Sequence, residues 1–376
     1  MVEPMMLIGM ALLAGLAFAN GSNDVSKGVA TLAGSGVTDY RKAILWGTTW
    51  TVIGGVLAVF VASAMVKTFS GILTTAQGQP APTLAIAVMT GAMIWVLCAS
   101  KTGLPVSTTH AIIGGLCGVG LASAGSNGIQ WSALLTKVVI PLGLSPVIAM
   151  SVAFLLFPAS RWLLSGWKGH CICVIPVQKA HLVVAPNGSV AMISATTDIK
   201  AVVDSSECDV PQLLSVRLGP DTFHWITSGW TCLARSLNDT PKMAFLLLGF
   251  GFIGDTFLTT MTIMAFGLVA LSMGMGSLLG GRKVTEVLAE KVTRMDHHEG
   301  FSANLTTAVL VTAAANFGLP VSTTHVGSSA IIGMGLRKGV GEVQWKTVFE
   351  ILLAWILTLP IAGLLSAACW LILTKV

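Results

Sequence analysis

Long apolar segments separated by short polar ones run through the whole chain. Segments 43–66 and 83–99 contain no charged residue, and segment 132–158 contains only Lys137. Each is close to the ~20 residues that an α-helix needs to cross the hydrocarbon core of a bilayer. The pattern predicts five segments in each half, at about 5–36, 43–66, 83–99, 103–121 and 132–158, and at 222–253, 257–280, 302–315, 318–336 and 347–373. We therefore predict an all-α polytopic membrane protein.

The composition agrees with a membrane protein. Of the 376 residues, 54% are hydrophobic and only 10% are charged, whereas soluble domains have about 25% charged residues. Residues Met1–Ala19 contain Glu3 and no basic residue, so we interpret them as part of the first membrane segment rather than as a secretory signal peptide. The net charge of +5 does not indicate nucleic-acid binding, because the basic residues lie beside the apolar segments.

An internal repeat relates the two halves of the chain. The sequence Gly-Leu-Pro-Val-Ser-Thr-Thr-His at 103–110 recurs at 318–325, an offset of 215 residues. The same offset relates two further motifs, Asn23-Asp24-Val-Ser-Lys27 and Asn238-Asp239-Thr-Pro-Lys242. Because each half has an odd number of predicted crossings, the second copy should run in the opposite direction, which predicts an inverted-topology repeat of two five-crossing units.

The basic residues predict the orientation in the membrane. If the amino terminus lies outside, 14 of the 21 Lys and Arg residues fall in four inside segments, at 37–42, 159–221, 281–299 and 337–346. The opposite side holds only Lys67 and Lys375. Cytoplasmic loops carry such an excess, so we expect both termini outside a cell (inner) membrane. The predicted units are a first transmembrane repeat at 1–158, a cytoplasmic insert at 159–221 and a second, inverted repeat at 222–376.

The insert differs in composition from both repeats. His181–Ile193 reads as two short strands around Pro-Asn-Gly, a sequence typical of hairpin turns, and predicts a small β-rich insert. Five residues could hold a metal, but their spacing matches no standard zinc pattern. They are Cys171, Cys173, Cys208, His170 and His181. We expect reduced structural cysteines, no metal and no cofactor.

Two acidic residues, Asp24 and Asp239, lie inside predicted membrane segments. Placing a charge there costs roughly 2.5 to 3.5 kcal/mol on insertion scales, so such residues are functional candidates. A purely structural salt bridge to a neighbouring lysine is the alternative. We also predict that Gly21 and Pro241 interrupt their helices, giving the broken or re-entrant helices that line transporter sites.

The repeated motif brings three hydroxyl residues to a predicted helix terminus. Its proline suits the first turn of a helix, so backbone N–H groups, a favourable dipole and Ser or Thr hydroxyls would meet there. Such a site binds phosphate or sulfate without a full positive charge. Hydroxyls that merely bond across membrane helices are the alternative. The candidate residues are Ser107, Thr108, Thr109, Ser322, Thr323 and Thr324.

With these motifs the chain resembles the inorganic phosphate transporter (Pit) family of sodium- or proton-coupled phosphate permeases. That family has an Asn-Asp motif in the first helix of each half and a later Gly-Leu-Pro-Val/Ile-Ser-Thr-Thr-His. The resemblance covers nearly the whole chain apart from the insert. It implies transport of inorganic phosphate by alternating access, with the triplets holding the anion and the aspartates organising the coupling ion. It also implies that Asn23, Asp24, Asn238 and Asp239 complete the substrate site.

One departure from the family pattern concerns the coupling ion, sodium or a proton. The common motif reads Asn-Asp-Val-Ala-Asn, whereas both copies here end in lysine, Lys27 and Lys242. An ammonium at position i+3 can reach the aspartate carboxylate, where it would take the place of a bound sodium ion. We expect these lysines to act as internal cations that weaken or abolish sodium dependence. The alternative is that each lysine reaches water and plays no part.

Several alternatives stay open from the sequence alone. Sulfate or another tetrahedral oxyanion fits the same donors, although a protonated phosphate oxygen can donate to Asp24 or Asp239 and sulfate has no proton to donate. A channel or a nutrient receptor needs no alternating access. An enzyme acting on phosphate esters would use Asp24 or His110, but we predict no enzyme. His110 and His325 are candidates for proton relay or for structural hydrogen bonds.

Two further expectations complete the picture. The polar run at Asp296–Glu299 is expected to be a solvated loop. A homodimer in the lipid bilayer is compatible with the sequence.

Overall fold

The computed structural model describes residues 2–60, 82–165, 170–184, 190–202, 214–250, 258–319 and 321–375. The chain divides into two compact units, one formed by Met1–Phe157 with His224–Val376 and the other by Pro158–Phe223. Both predicted repeats therefore belong to one unit. Some predicted features lie outside the described residues, namely the end of segment 43–66, the start of segment 257–280, the Pro-Asn-Gly turn, Lys67, Cys208 and Pro320.

Helices form almost all of the described part of the larger unit. Those of the first half are α1 (Val2–Asp24), α2 (Ser26–Gly34), α3 (Tyr40–Leu57), α4 (Pro82–Thr102), α5 (Thr108–Ala124) and α6 (Ile140–Ser165). A short α-helix at Trp131–Leu134 and a π-helical turn at Leu135–Val139 lead directly into α6. Those of the second half are α7 (Pro220–Leu248), α8 (Leu258–Gly280), α9 (Arg282–Glu290), α10 (His297–Asn316), α11 (Thr323–Lys338) and α12 (Trp345–Lys375).

Within the described residues, six helical segments are long and apolar enough to cross a membrane: Pro4–Gly34, Tyr40–Phe60, Pro82–Thr102, Trp131–Ser165, Thr260–Gly280 and Trp345–Lys375. Ten crossings were predicted, and four segments do not meet this standard. Helices α5 and α11 have 17 and 16 residues, fewer than the ~20 that span a bilayer. Helices α7 and α10 contain too many polar or charged side chains.

The first helix of each half is less broken than predicted. Helix α1 continues past Gly21 to Asp24, and only Val25, which keeps right-handed helical dihedral angles, separates it from α2. Pro241 lies inside the continuous helix α7. A proline inside a helix removes one backbone hydrogen bond, and neighbouring helices can compensate for that loss in a membrane protein. The prediction that Gly21 and Pro241 interrupt these helices is therefore wrong.

In both copies the Gly-Leu of the repeated motif ends a helix. Gly103 and Gly318 have φ angles of 83° and 65°, which favour glycine because it has no Cβ. The N–H of Leu104 donates to the carbonyl of Ala99, five residues back, and Leu319 does the same to Ala314. These bonds close α4 and α10 in a Schellman arrangement.

The serine of the motif begins the next helix. The Ser107 side chain accepts a 3.2 Å hydrogen bond from the His110 N–H, and Ser322 accepts one of 3.2 Å from His325. Ser107 is therefore the N-cap of α5, and Pro105 lies before the helix rather than in its first turn as predicted. Among the described residues, which leave out Pro320, both copies thus have non-helical residues between two helix ends.

Helices α1 and α8 cross with their backbones in direct contact. A Cβ added at Gly21 would lie 2.0 Å from the carbonyl oxygen of Met273, and one added at Gly276 would lie 2.0 Å from that of Phe18. Only glycine allows this approach, which is the close packing that small residues permit between membrane helices. The crossing lies about one helical turn before Asp24 and therefore fixes the position of that end of α1.

The polar run at Asp296–Glu299 begins a helix and is not the solvated loop that was predicted. Asp296 accepts a 2.7 Å bond from the Glu299 N–H, and Glu299 accepts a 2.9 Å bond from the Asp296 N–H. This reciprocal arrangement is a capping box. The Glu299 side chain also lies 3.1 Å from Nζ of Lys338, which connects the start of α10 to the end of α11.

The smaller unit contains a three-stranded antiparallel sheet in the order β2-β1-β3. The strands are β1 (His170–Val184), β2 (Val190–Val202) and β3 (Leu214–Leu218). His181 pairs with Ile193 and Val184 with Val190, so β1 and β2 flank the Pro-Asn-Gly segment. The side chains of the candidate metal ligands lie outside the described part of the structure.

Candidate functional site

The first buried ion pair joins Lys27 to Asp24. The Lys27 ammonium donates to Oδ1 of Asp24 at 2.7 Å, to Oδ1 of Asn23 at 2.7 Å and to the Asn23 carbonyl at 2.8 Å. Only 1% of Asp24 and 1% of Lys27 is exposed. Three oxygens thus satisfy the three ammonium hydrogens, and the lysine does not reach water.

The second ion pair joins Lys242 to Asp239 in the other half. The Lys242 ammonium donates to Oδ1 of Asp239 at 3.1 Å, to Oγ1 of Thr109 at 2.8 Å and to the carbonyl of Val321 at 3.0 Å. Both members of the pair are buried. Because Thr109 belongs to the first half and Val321 to the second, Lys242 connects the two repeated motifs.

Asn20 connects both ion pairs to the first hydroxyl triplet. Its amide nitrogen donates to Oδ2 of Asp24 at 3.1 Å, to Oγ1 of Thr108 at 3.0 Å and to Oδ2 of Asp239 at 3.3 Å. An amide nitrogen carries two hydrogens, so these three acceptors share them. The two carboxylates therefore lie within hydrogen-bond distance of one amide nitrogen, and both halves contribute to a single buried cluster.

Arg235 contacts the amide oxygen of Asn20. Its guanidinium donates to Oδ1 of Asn20 at 2.9 Å and to Oγ1 of Thr51 at 2.7 Å, and the residue is fully buried. The Asn20 amide is oriented by this contact, because only its oxygen can accept from a guanidinium. Burying an arginine in a membrane segment costs roughly 2.5 to 3.5 kcal/mol on insertion scales.

The other two asparagines hold the non-helical segments of the motifs in place. Asn23 donates to the Leu104 carbonyl at 2.9 Å and accepts from the Val106 N–H at 3.1 Å. Asn238 donates to the Val321 carbonyl at 3.2 Å. In each half, the asparagine beside the aspartate thus binds the backbone of that half's hydroxyl motif.

The six predicted hydroxyl residues are all buried, and they have different contacts. Thr108 accepts from Asn20, and Thr109 accepts from Lys242. Thr324 donates to the Val106 carbonyl at 2.8 Å, which joins the second triplet to the first motif. Ser107 and Ser322 act as helix caps, and Thr323 follows Ser322 as the first residue of α11.

The histidines that follow the triplets bring the starts of α5 and α11 together. The rings of His110 and His325 lie 4.5 Å apart between centroids, and His325 stacks on Trp355 at 3.9 Å. The Trp355 indole N–H donates to the carbonyl of Pro105 at 3.2 Å. Helix α12 therefore supports both helix starts at once.

Sequence reasoning missed Asn20 and Arg235 as members of this cluster. The offset of 215 residues maps one onto the other, and a basic residue inside a predicted membrane segment is itself a functional signal. Asn20 and Arg235 lie outside both repeated motifs, and the two copies hold an amide and a guanidinium at this position, so the similarity of the motifs did not point to it.

Comparison with known proteins identifies the family. Residues 20–366 match the model of the phosphate transporter family. A candidate phosphate permease of Pyrococcus horikoshii is 28% identical, with 97% of each chain covered. A candidate low-affinity inorganic phosphate transporter of Bacillus subtilis is 27% identical, with 96% of this chain and 94% of the relative covered.

A solved structure has the same fold. It is that of a sodium-dependent phosphate transporter, and it aligns with a TM-score of 0.77 and 23% identity over 99% of this chain and all of the other. The family model covers all but the ends of the chain, including both motifs of each half. With its apolar helices, this chain is therefore a membrane protein that belongs to the phosphate transporter family.

Proposed function

We propose that this protein is a secondary transporter that carries inorganic phosphate by alternating access, with the substrate bound at the cluster around Asn20. The observation that carries the proposal is the single amide that connects Thr108 to Asp24 and Asp239. Residues from both halves meet there, as they do in secondary transporters built from two repeats. Membership of the phosphate transporter family supports the choice of substrate.

The two helix starts supply donors for the anion in this proposal. The first intrahelical bond of α5 runs from the Ala111 N–H to the Ser107 carbonyl, and that of α11 runs from Val326 to Ser322. The backbone N–H groups of the threonines lie before these first bonds, so they have no acceptor within their own helix. Together with the threonine hydroxyls they form an oxyanion site at the positive end of each helix dipole.

The carboxylates serve as acceptors in the same site. Inorganic phosphate near neutral pH carries at least one proton, and a protonated oxygen needs an acceptor. Asp24 and Asp239 offer Oδ2 atoms that otherwise share the Asn20 amide. Sulfate offers no proton to such an acceptor, which favours phosphate.

Lys27 and Lys242 act as internal cations in this proposal. Each ammonium is bound by three oxygens at 2.7–3.1 Å, one of them from a buried carboxylate. A carboxylate that is already paired in this way does not need a second cation for charge balance. The protein would then transport phosphate without sodium, and its coupling would differ from that implied by the family resemblance.

The arrangement in the membrane is part of the proposal. The matching turns of the two motifs support a repeat, and the odd number of crossings predicted for each half supports its inversion. The distribution of basic residues supports both termini outside with the insert in the cytoplasm. Labelling of single cysteines placed in the insert and at the carboxyl terminus, from each side of intact cells, tests this orientation.

Uptake of labelled phosphate by purified protein in proteoliposomes tests the function. We expect saturable uptake, counterflow and inhibition by excess phosphate, with weaker inhibition by sulfate. Equal inhibition by sulfate would show that the site does not distinguish phosphate from other tetrahedral oxyanions. Flux that does not saturate would indicate a channel. Phosphate binding without flux would indicate a receptor, and hydrolysis of a phosphate ester would indicate an enzyme.

A further inference from the structure

Arg235 is a buried cation that forms no ion pair with a carboxylate in the described part of the chain. Its two hydrogen bonds go to neutral oxygens, those of Asn20 and Thr51. Its Nε has no hydrogen-bond partner among the described residues, although none of the side chain is exposed. A buried charge is normally paired, so this guanidinium is a site where an anion would be stabilised.

The geometry around Arg235 holds the guanidinium in one position. Thr51 donates its own hydroxyl proton to the Gly47 carbonyl at 2.7 Å, so its oxygen is left to accept from Arg235. Asn20 accepts through Oδ1, because its amide nitrogen is only a donor and donates to Asp24, Thr108 and Asp239. A fixed guanidinium loses little entropy when it acts on a ligand.

The cluster as a whole carries one net positive charge. Asp24 and Asp239 oppose Lys27, Lys242 and Arg235, and all five are at most 3% exposed. Each Asp–Lys pair sums to zero whichever member holds the shared proton. The charge that remains is that of Arg235, which occupies in the second half the position of the neutral Asn20 in the first.

We propose that Arg235 supplies the positive charge that a bound oxyanion neutralises, and that it acts through Asn20 on the site at Thr108. This inference rests on the proposed function, because it concerns the same substrate and the same cluster. Arg235 is a positioning residue in this role: its guanidinium fixes the Asn20 amide and provides a favourable potential where the anion binds. The two hydroxyl motifs are alike, whereas the charge that stabilises the anion comes from the second half alone.

Variants of Arg235 test the charge directly. In proteoliposomes, Arg235→Gln is expected to raise the KM for phosphate roughly tenfold or more, because one full charge at short range is lost, with a smaller change in kcat. Arg235→Lys keeps the charge and is expected to recover most of the affinity. Lys42→Gln, which removes a cation whose side chain is 73% exposed, is the matched control for net charge and should retain the wild-type KM.

A second pair of variants keeps Arg235 and tests whether a neighbouring carboxylate that balances its charge weakens phosphate binding. Thr51→Asp places a carboxylate against the guanidinium, and Thr51→Asn has nearly the same size without a charge. We expect the aspartate variant to bind phosphate roughly tenfold or more weakly than the asparagine variant, measured by titration of inorganic phosphate into detergent-solubilised protein. We also expect it to unfold at a temperature no lower, because its buried charge is paired. This comparison applies even if Arg235→Gln does not fold.

The outcomes separate this inference from the function on which it rests. Wild-type protein that takes up no phosphate would refute the proposed function. Wild-type uptake with an unchanged KM in Arg235→Gln, or equal phosphate affinity in the two Thr51 variants, would overturn only the role of Arg235. A rise in KM that Arg235→Lys does not reverse would also overturn it, because the fork geometry and not the charge would then be responsible.

Discussion

The guanidinium of Arg235 donates a 2.9 Å hydrogen bond to Oδ1 of Asn20, and the two residues occupy the same position in the two copies of the repeat. Equivalent residues of two copies can touch only where the copies meet. This contact therefore marks the interface between the halves, and the buried carboxylates lie directly beside it. The candidate site belongs to neither half alone.

Asn20 should be indispensable for transport. Asn20→Ala removes the amide that separates two buried carboxylates, and we expect phosphate uptake to fall more than tenfold because the unbridged carboxylates repel each other and the anion. The measurement is initial uptake into proteoliposomes at equal protein content. Asn316→Ala, at an exposed position, is the control, and wild-type uptake by Asn20→Ala would contradict the site.

The hydroxyl and carboxylate roles can be tested with variants of nearly unchanged shape. Asp24→Asn and Thr108→Val should each abolish uptake while leaving expression and monodispersity intact, because each removes one partner of the Asn20 amide. Thr49→Val removes a hydroxyl that is exposed and bonded only to its own helix at 3.0 Å in the described contacts, and it should transport normally. A fully active Asp24→Asn, Thr108→Val double variant would refute the assignment.

Replacing both lysines should create sodium dependence. In Lys27→Asn with Lys242→Asn, the two carboxylates lose their internal cations, and we expect uptake only when sodium is present. The wild type should take up phosphate equally well in sodium and in choline buffers. Lys42→Asn controls for the loss of a surface lysine. A wild type that strictly requires sodium would exclude internal cations.

The crossing of α1 and α8 predicts opposite effects of two glycine substitutions. Gly21→Ala forces a methyl group against the Met273 carbonyl at 2.0 Å, which overpacks the crossing by about 1–3 kcal/mol. Gly267→Ala, inside α8, meets nothing within 4 Å and should stabilise its helix by about 0.5–1 kcal/mol. Thermal unfolding in detergent measures both, and equal melting temperatures would show that the crossing tolerates a side chain.

The parts of the fold that sequence predicted well are those with local causes. A helix that begins at its hydroxyl residues and a polar pair inside an apolar segment each depend on neighbouring residues. The hydroxyl triplet of each repeated motif therefore lies at a helix start, as predicted. The lysine at i+3 likewise meets its aspartate in both halves.

The features that sequence missed depend on tertiary contacts. Pro241 is buried inside α7, and neighbouring helices can compensate for the hydrogen bond that a proline removes. Local sequence does not indicate such packing. The contacts of Asn20 reach residues 88 and 219 positions away, so its central position could not be deduced from spacing. Helix α9 was missed because its alternating charged and apolar residues also suit a cytoplasmic loop.

The three oxygens that bind each of the Lys27 and Lys242 ammonium groups also have a consequence for the driving force of transport. A sodium ion that enters with the substrate leaves on the other side and dissipates its own gradient. A lysine ammonium is part of the chain, so it is not released and no cation is transported with the substrate. If the compensating cations belong to the chain, as we propose, the direction of net flux does not depend on a sodium gradient, and the same protein can carry phosphate into or out of a cell.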